Sequence, residues 1–132
     1  MNKNQSHLAG EFLVAGELSR RGMNVSITFG NAKSVDIFAE LNQKVYRIDA
    51  KAIKSKTNWP ISVKQVGSQV IYIFVFLGSK AAIYKSQPPE YFLVKGRDIL
   101  SKNLVTTWNN RSGIEYKSLN MSTYKDAWDI FK

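Results

Sequence analysis

The chain has 132 residues, no cysteine and one histidine, His7. This composition excludes thiol catalysis, disulfide bonds and Cys/His zinc sites. Any metal site must therefore use oxygen ligands, which suit hard cations such as magnesium or manganese. The formal net charge of +9 favours a polyanionic partner, nucleic acid before a membrane surface. With 44% apolar residues, the sequence predicts one folded domain over residues 1–132.

The sequence shows no sign of a membrane or export segment. The amino terminus is polar, without a signal-peptide pattern, and the longest apolar run, residues 70–77, is too short to span a bilayer. We therefore expect a soluble, cytoplasmic protein with no membrane partner. Its positive charge is densest between Lys44 and Lys64, where Asp49 is the only acid among the basic residues.

The first predicted element is a helix over residues 7–21, capped by Ser6 and ended by Gly22. At 100° per residue, its apolar stripe consists of Leu8, Phe12, Ala15 and Leu18. Glu11 falls inside this stripe and is expected to point towards the body of the protein. Glu17 falls almost opposite Leu8 and is expected to be solvated.

A half-buried strand over residues 24–29 precedes a predicted hairpin. The hairpin strands cover residues 34–40 and 44–53, joined by a two-residue turn at Asn42-Gln43. In this register Ala39 faces Tyr46, Ile37 faces Ile48, and Asp36 faces Asp49.

The second half of the chain alternates strands and helices. The patterns predict, in order, a short helix or turn at 61–69, a buried central strand at 70–77, strands at 81–84 and 91–95, a helix at 97–104, a loop at 109–113 and a last helix at 123–131. This order favours an α/β fold with a central mixed β-sheet flanked by helices.

The candidate chemistry centres on Asp49 and Lys51, which leave the same face of their predicted strand. Because Arg47 shares that face, we expect it to look into solvent or a wet cleft, with the opposite face packed. Asp36, directly across the hairpin, would bring a second carboxylate to about 5 Å, at a repulsion of roughly 3 kcal/mol. Removing either aspartate should then stabilise the metal-free protein, whereas a divalent cation would convert the repulsion into coordination.

Glu11 completes a set of three carboxylates and one lysine, a set suited to Mg²⁺ or Mn²⁺ that also binds a phosphate. Such a metal polarises a phosphodiester and lowers the pKa of a bound water, while Lys51 steadies the developing charge. The basic stretch around the set would hold the nucleic-acid backbone. Its candidate binding residues are Arg47, Lys54, Lys56, Lys64 and Gln65.

These residues also carry a family resemblance. The motifs are Gly10-Glu11 on the first helix, Val35-Asp36-Ile37 on one strand and Ile48-Asp49-Ala50-Lys51 on its partner. Their order resembles the PD-(D/E)XK nuclease superfamily, most closely its small Holliday-junction-resolvase-like and restriction-endonuclease-like members. Val35 stands where the name-giving proline would be, and Asp49 replaces the commoner glutamate.

The resemblance implies a restriction-endonuclease-like fold and a magnesium-dependent DNA endonuclease, and it is compatible with a homodimer. Asp36, Asp49 and the Ala50 carbonyl would bind the metal, Glu11 would bind it directly or through water, and Lys51 would be catalytic.

Other interpretations of these residues remain open from the sequence. The two aspartates would be ordinary surface acids if the hairpin register were different. Glu11 would be a structural acid if it paired with Arg20 or Arg47. Trp59 suits either stacking on a base or packing on the sheet. As a whole, the chain also fits a non-catalytic nucleic-acid-binding module of the same fold, or a basic protein-interaction domain.

Overall fold

The computed structural model describes residues 2–28, 37–78 and 87–132. The chain begins with a long helix, α1 (Lys3–Arg20), which starts four residues before the predicted start. Asn2 and Gln5 form a reciprocal capping box, so Asn2, and not Ser6, caps the helix. Ser6 lies inside the first turns, where its hydroxyl donates to the Asn2 carbonyl oxygen at 3.1 Å. Gly22 follows the helix with a φ of +91°, which confirms it as the residue that ends the helix.

The described residues form eight strands and two sheets. The strands are β1 (Asn24–Ile27), β2 (Ile37–Leu41), β3 (Lys44–Ile53), β4 (Asn58–Pro60), β5 (Ile71–Phe76), β6 (Glu90–Lys95), β7 (Thr106–Trp108) and β8 (Arg111–Glu115). The central sheet has the order β1-β2-β3-β5-β6, in which only the β3–β5 pair is parallel. The predicted α/β fold with a mixed sheet is therefore confirmed.

The β2–β3 hairpin has the predicted register. Asn42 and Gln43 both have positive φ angles, 51° and 68°, as a two-residue type I′ turn requires. Ala39 lies opposite Tyr46, and Ile37 lies opposite Ile48. The third predicted pair, Asp36 with Asp49, is not tested because Asp36 lies outside the described residues, as does the predicted strand 81–84.

Strand β5 is buried along its whole length, as predicted for a central strand. One face of the sheet packs against α1 through a cluster that includes Val14, Leu18, Ile48 and Ile73. The other face packs against the small sheet and the short helices α2 (Gly96–Ser101) and α3 (Tyr116–Leu119). Neither face of the sheet near β3 is simply exposed to solvent.

The small sheet, in the order β4-β8-β7, was not predicted. The residues assigned to a loop at 109–113 instead turn and enter β8. Asn109 and Asn110 have φ angles of 46° and 60°, the left-handed geometry of a type I′ hairpin turn. The Asn-Asn pair was the local signal for this hairpin, because asparagine tolerates that geometry better than most residues.

The predicted carboxy-terminal helix over residues 123–131 is also wrong. The segment forms turns and a 3-10 helix (Trp128–Ile130). The Leu93 amide donates to the Tyr124 carbonyl at 3.0 Å, and the Asp126 amide donates to the Tyr91 carbonyl at 2.9 Å. These bonds to β6 replace the helical ones, so tertiary pairing overrides the 3.6-residue apolar pattern.

The buried stripe of α1 differs from the predicted one. Leu8 and Phe12 are 44% and 51% exposed, whereas Val14, Ala15 and Leu18 are buried. The helix packs on β3 through Gly10, where a Cβ atom would lie 2.6 Å from the Ala52 Cβ. This close approach rotates Leu8 and Phe12 away from the sheet. No helix in the described part of the chain is long and apolar enough to cross a membrane.

Gly10 and Gly16 provide a matched test of this contact. Replacing an exposed helical glycine by alanine normally stabilises a protein by up to about 1 kcal/mol. We expect that gain for Gly16→Ala, since nothing lies within 4 Å of its Cβ position. For Gly10→Ala we expect a net loss of about 1–2 kcal/mol, because overpacking against Ala52 exceeds the gain in helix propensity. Urea unfolding of both variants measures the difference, and equal stabilisation by the two substitutions would contradict the close contact.

Candidate functional site

Asp49 is the central residue of the candidate site, and it is buried. It lies on β3 beside Tyr72 of β5 and is 7% exposed. The Lys51 ammonium lies 3.6 Å from the Asp49 carboxylate, and the Lys51 side chain is 28% exposed. The sequence predicts that this face of β3 looks into solvent or a wet cleft. Arg47 is exposed, and Lys51 lines a cleft. Asp49, between them, is buried, because the core beneath the small sheet continues along the same face.

Tyr72, which pairs with Asp49 across the sheet, also has polar contacts. Its hydroxyl accepts from the Gly67 amide at 2.8 Å and donates to the Gln65 carbonyl at 3.2 Å. Burial raises the pKa of the Tyr72 phenol, and the negative charge of Asp49 raises it further. Tyr72 thus remains neutral and packs the inner side of the site.

Glu11 points inward, as predicted, and is 5% exposed. Its carboxylate lies 2.6 Å from the imidazole Nε2 of His7, one helical turn earlier. The partner in this ion pair is therefore His7, whereas the sequence analysis suggested Arg20 or Arg47. The sequence analysis gave His7 no role and so missed this contact, although the i,i+4 spacing on a helix was a usable signal.

Glu17 was predicted to be solvated, but its carboxylate is paired with two arginines and is mostly covered. Arg20 and Arg21 bind its carboxylate at 2.6 Å and 2.9 Å, and the side chain is 16% exposed. The hydrogen bond from Arg20 is the main reason that the pKa of Glu17 is lowered. Glu17 and its two arginines thus stabilise the carboxy-terminal end of α1, away from the candidate site.

A cleft of about 480 Å³ opens between the first turns of α1 and residues 50–60. Its cationic lining comes from Lys3, Lys51 and Lys54, with the His7 imidazole beside them, and none of the described residues of its wall is acidic. Ala50 and Trp59 contribute to its inner surface. The cleft therefore offers positive charge beside the buried Asp49, an arrangement suited to an anionic substrate.

The donor atoms of the predicted metal ligands are of the kind that binds a hard cation. Glu11, Asp49 and the Ala50 carbonyl supply oxygen, the ligand that magnesium and manganese prefer. Within the described ranges, no three His, Cys, Asp or Glu side chains form a group able to hold a metal ion. The predicted ligand set includes Asp36, and that residue lies outside those ranges.

The candidate nucleic-acid contacts divide into two groups. All five are exposed, and Lys54 also lines the cleft, but Lys56 and Gln65 make contacts within the described part of the protein that Arg47 and Lys64 do not. Lys56 lies 3.9 Å from Glu90 and 5.4 Å from the ring centres of Phe76 and Tyr116, away from the open cleft. The Gln65 side chain accepts from the Ser62 amide at 2.8 Å, so its oxygen caps a turn. Arg47, Lys54 and Lys64 are therefore the better placed to meet phosphates.

Trp59 is completely buried. Its indole nitrogen donates to the Val75 carbonyl at 3.1 Å, and its ring contacts Phe74 and Phe92. Of its two suggested roles, packing on the sheet is therefore confirmed, and stacking on a nucleic-acid base is wrong.

The sheet order, with α1 on one face and the small sheet on the other, defines an α/β fold with a mixed central sheet. A solved structure of a bacterial homing endonuclease, I-Ssp6803I, is similar to this chain with a TM-score of 0.60. The similarity covers 98% of this chain and 91% of that one, at 12% sequence identity, so it is a likeness of fold. No protein-family model matches the sequence, and no curated protein matches it.

Proposed function

We propose that the protein is a metal-dependent DNA endonuclease of the PD-(D/E)XK type. The observation that carries the proposal is the buried Asp49 with Lys51 at 3.6 Å, on a central strand of a fold that a homing endonuclease shares. A buried carboxylate costs free energy unless it is paired or binds a cation. Its position beside a cationic cleft therefore supports a chemical role.

In this proposal Asp49, the Ala50 carbonyl, Glu11 and Asp36 hold Mg²⁺ or Mn²⁺. The bound ion would polarise the phosphodiester and supply a water of lowered pKa. Lys51 stabilises negative charge that develops on the phosphate, and its contact with Asp49 keeps its ammonium beside the reacting group. Arg47 and Lys54 hold flanking phosphates, and Lys64 is a more distant candidate contact.

A second candidate function is a DNA-binding module of the same fold that does not cut. The specific observation in its favour is the number of metal ligands. Among the described residues, no three metal-binding side chains lie close enough together to hold an ion. This candidate shares the cationic cleft with the first, so both predict binding to DNA. They differ in turnover.

Cleavage of supercoiled plasmid, linear duplex and four-way-junction DNA, with Mg²⁺, Mn²⁺ or EDTA, separates the two candidates. We expect nicked or linear products with a divalent ion and none with EDTA. The junction substrate tests the resolvase-like branch of the resemblance, and light scattering of the purified protein tests the proposed homodimer. Tight, salt-sensitive DNA binding without any cleavage would instead establish the binding module.

A further inference from the structure

A second cationic groove lies at the opposite end of β3 from the cleft. Its volume is about 330 Å³, and it is bounded by the start of β3, the start of β5 and the junction of β6 with α2. Four of the described residues that line it are basic, and none of the described ones is acidic: Lys44, Arg47, Lys95 and Arg97. Ser68 and Gln69 add polar groups to its wall. Such a concentration of one sign of charge attracts a polyanion.

Several basic residues of the protein are paired with acids. Arg20 and Arg21 share Glu17, Lys56 and Lys125 share Glu90, and Lys117 binds Glu115. Among the described residues, none of the four groove cations forms an ion pair with an acid. Asp98 and Asp129 line a neighbouring pocket together with Lys44 and Lys95, while the described lining of the groove itself keeps an excess of positive charge that an anionic ligand would neutralise.

The wall of the groove is built by a close backbone contact. A Cβ atom on Gly96 would lie 1.8 Å from the Gly67 carbonyl oxygen, so only glycine fits there. The Gly96 amide also donates to the Val70 carbonyl at 2.7 Å. Lys95 and Arg97 flank this glycine, and the contact therefore fixes where both side chains leave the backbone.

The groove and the candidate active site lie within reach of one DNA segment. Arg47 and Lys51 are four residues apart on the same face of β3, about 13 Å at roughly 3.3 Å per residue. Phosphates of one DNA strand are spaced about 3.4 Å apart along the helix axis, so that separation corresponds to about four of them. The register Ile48–Ile71–Lys95 places Lys95 two strands away from β3, roughly 10 Å across the sheet.

We propose that this groove is a second DNA-backbone site, in which Lys44, Lys95 and Arg97 join Arg47 to bind phosphates away from the bond that is cut. The inference rests on the proposed function and adds residues outside the Asp49 site. The groove positions DNA through charge, and it contributes affinity that falls with salt.

Lys95→Gln with Arg97→Gln tests the groove without touching the Asp49 site. Binding of a 30-base-pair duplex is measured by fluorescence anisotropy in EDTA between 50 and 200 mM salt. Losing two phosphate contacts should lower the slope of log K against log salt by about 1.8, and weaken binding at 100 mM salt on the order of 10–100-fold. The control pair, Arg111→Gln with Lys117→Gln, removes the same charge from another surface. We expect its slope to equal that of the wild type, and thermal melting verifies that both variants fold.

The outcomes separate the groove from the proposed function. Equal slopes for the groove variant, the control pair and the wild type would overturn the groove, while wild-type cleavage with magnesium would leave the endonuclease standing. A slope reduced only in the groove variant supports the groove, even if no condition yields cleavage. A wild-type protein that does not bind the duplex at all would overturn both proposals.

Discussion

Replacing Asp49 by asparagine is expected to lower the rate of magnesium-dependent DNA cleavage about a thousandfold. The amide keeps the size of the side chain but removes the negative charge that would hold the cation beside the phosphate. A thousandfold loss corresponds to about 4 kcal/mol of transition-state stabilisation. Single-turnover cleavage of plasmid DNA measures it, with Asp129→Asn, an exposed carboxylate, as the matched control.

Lys51→Met should reduce cleavage by about a hundredfold to a thousandfold, the usual cost of removing one group that stabilises developing charge. The expected signature is a lower kcat with little change in KM, since a lysine that acts on the transition state contributes little to ground-state binding. Cleavage that survives both Asp49→Asn and Lys51→Met would remove Asp49 and Lys51 from the mechanism.

The same two variants should also differ in stability. This difference shows whether a loss of cleavage comes from the active site or from a less stable fold. Asp49 is nearly buried while Lys51 is partly exposed, so Lys51→Met leaves a carboxylate in the interior without its ammonium partner. We expect Lys51→Met to lower the melting temperature in EDTA, because a buried charge that loses a partner is destabilising. Asp49→Asn removes that charge and should leave the melting temperature unchanged or higher. A larger fall for Asp49→Asn than for Lys51→Met would contradict this account.

The largest expected effect on stability comes from Trp59. Trp59→Ala should lower the free energy of unfolding by about 3–5 kcal/mol, because it empties a large volume where the small sheet packs on β5. It also leaves the Val75 carbonyl without its indole donor. Trp59→Phe fills most of that volume, so it should cost about 1–3 kcal/mol, much of it from the lost indole hydrogen bond.

Urea unfolding followed by circular dichroism measures these differences, with Trp108→Ala as the control. Trp108 is 37% exposed on β7, so its loss should change stability by much less. DNA affinity of the folded Trp59→Phe protein should equal that of the wild type. A normal stability of Trp59→Ala combined with weakened DNA binding would contradict the buried position and restore a base-stacking role.

Several parts of the fold were accessible from local sequence. The β2–β3 register followed from alternating residues around Asn42-Gln43, because side chains alternate with a period of two and the turn allows few geometries. Strand β5 followed from its continuous apolar run. The inward direction of Glu11 followed from its angle on the helix, although the packed stripe proved to be rotated.

Other parts depended on contacts between distant segments. The small sheet joins β4 to β8 across more than fifty residues, and such pairing leaves no periodic signal in a single segment. Residues 123–131 have a helical apolar pattern, yet their backbone bonds to β6 instead. The sequence left Trp59 open between stacking on a base and packing on the sheet, because nothing nearby in the sequence shows that distant strands cover it.

The sequence by itself determined that any metal ligands are oxygen atoms and that the protein is positively charged, since both follow from composition. It also determined the hairpin and the placement of Asp49 and Lys51 on one face of a strand, because the two-residue period of a strand is a local property. Only the tertiary structure decided that Asp49 is buried, that His7 meets Glu11, and that four cations converge at the far end of β3. Burial and charge convergence depend on which distant segments pack together, and that packing is a property of the whole fold.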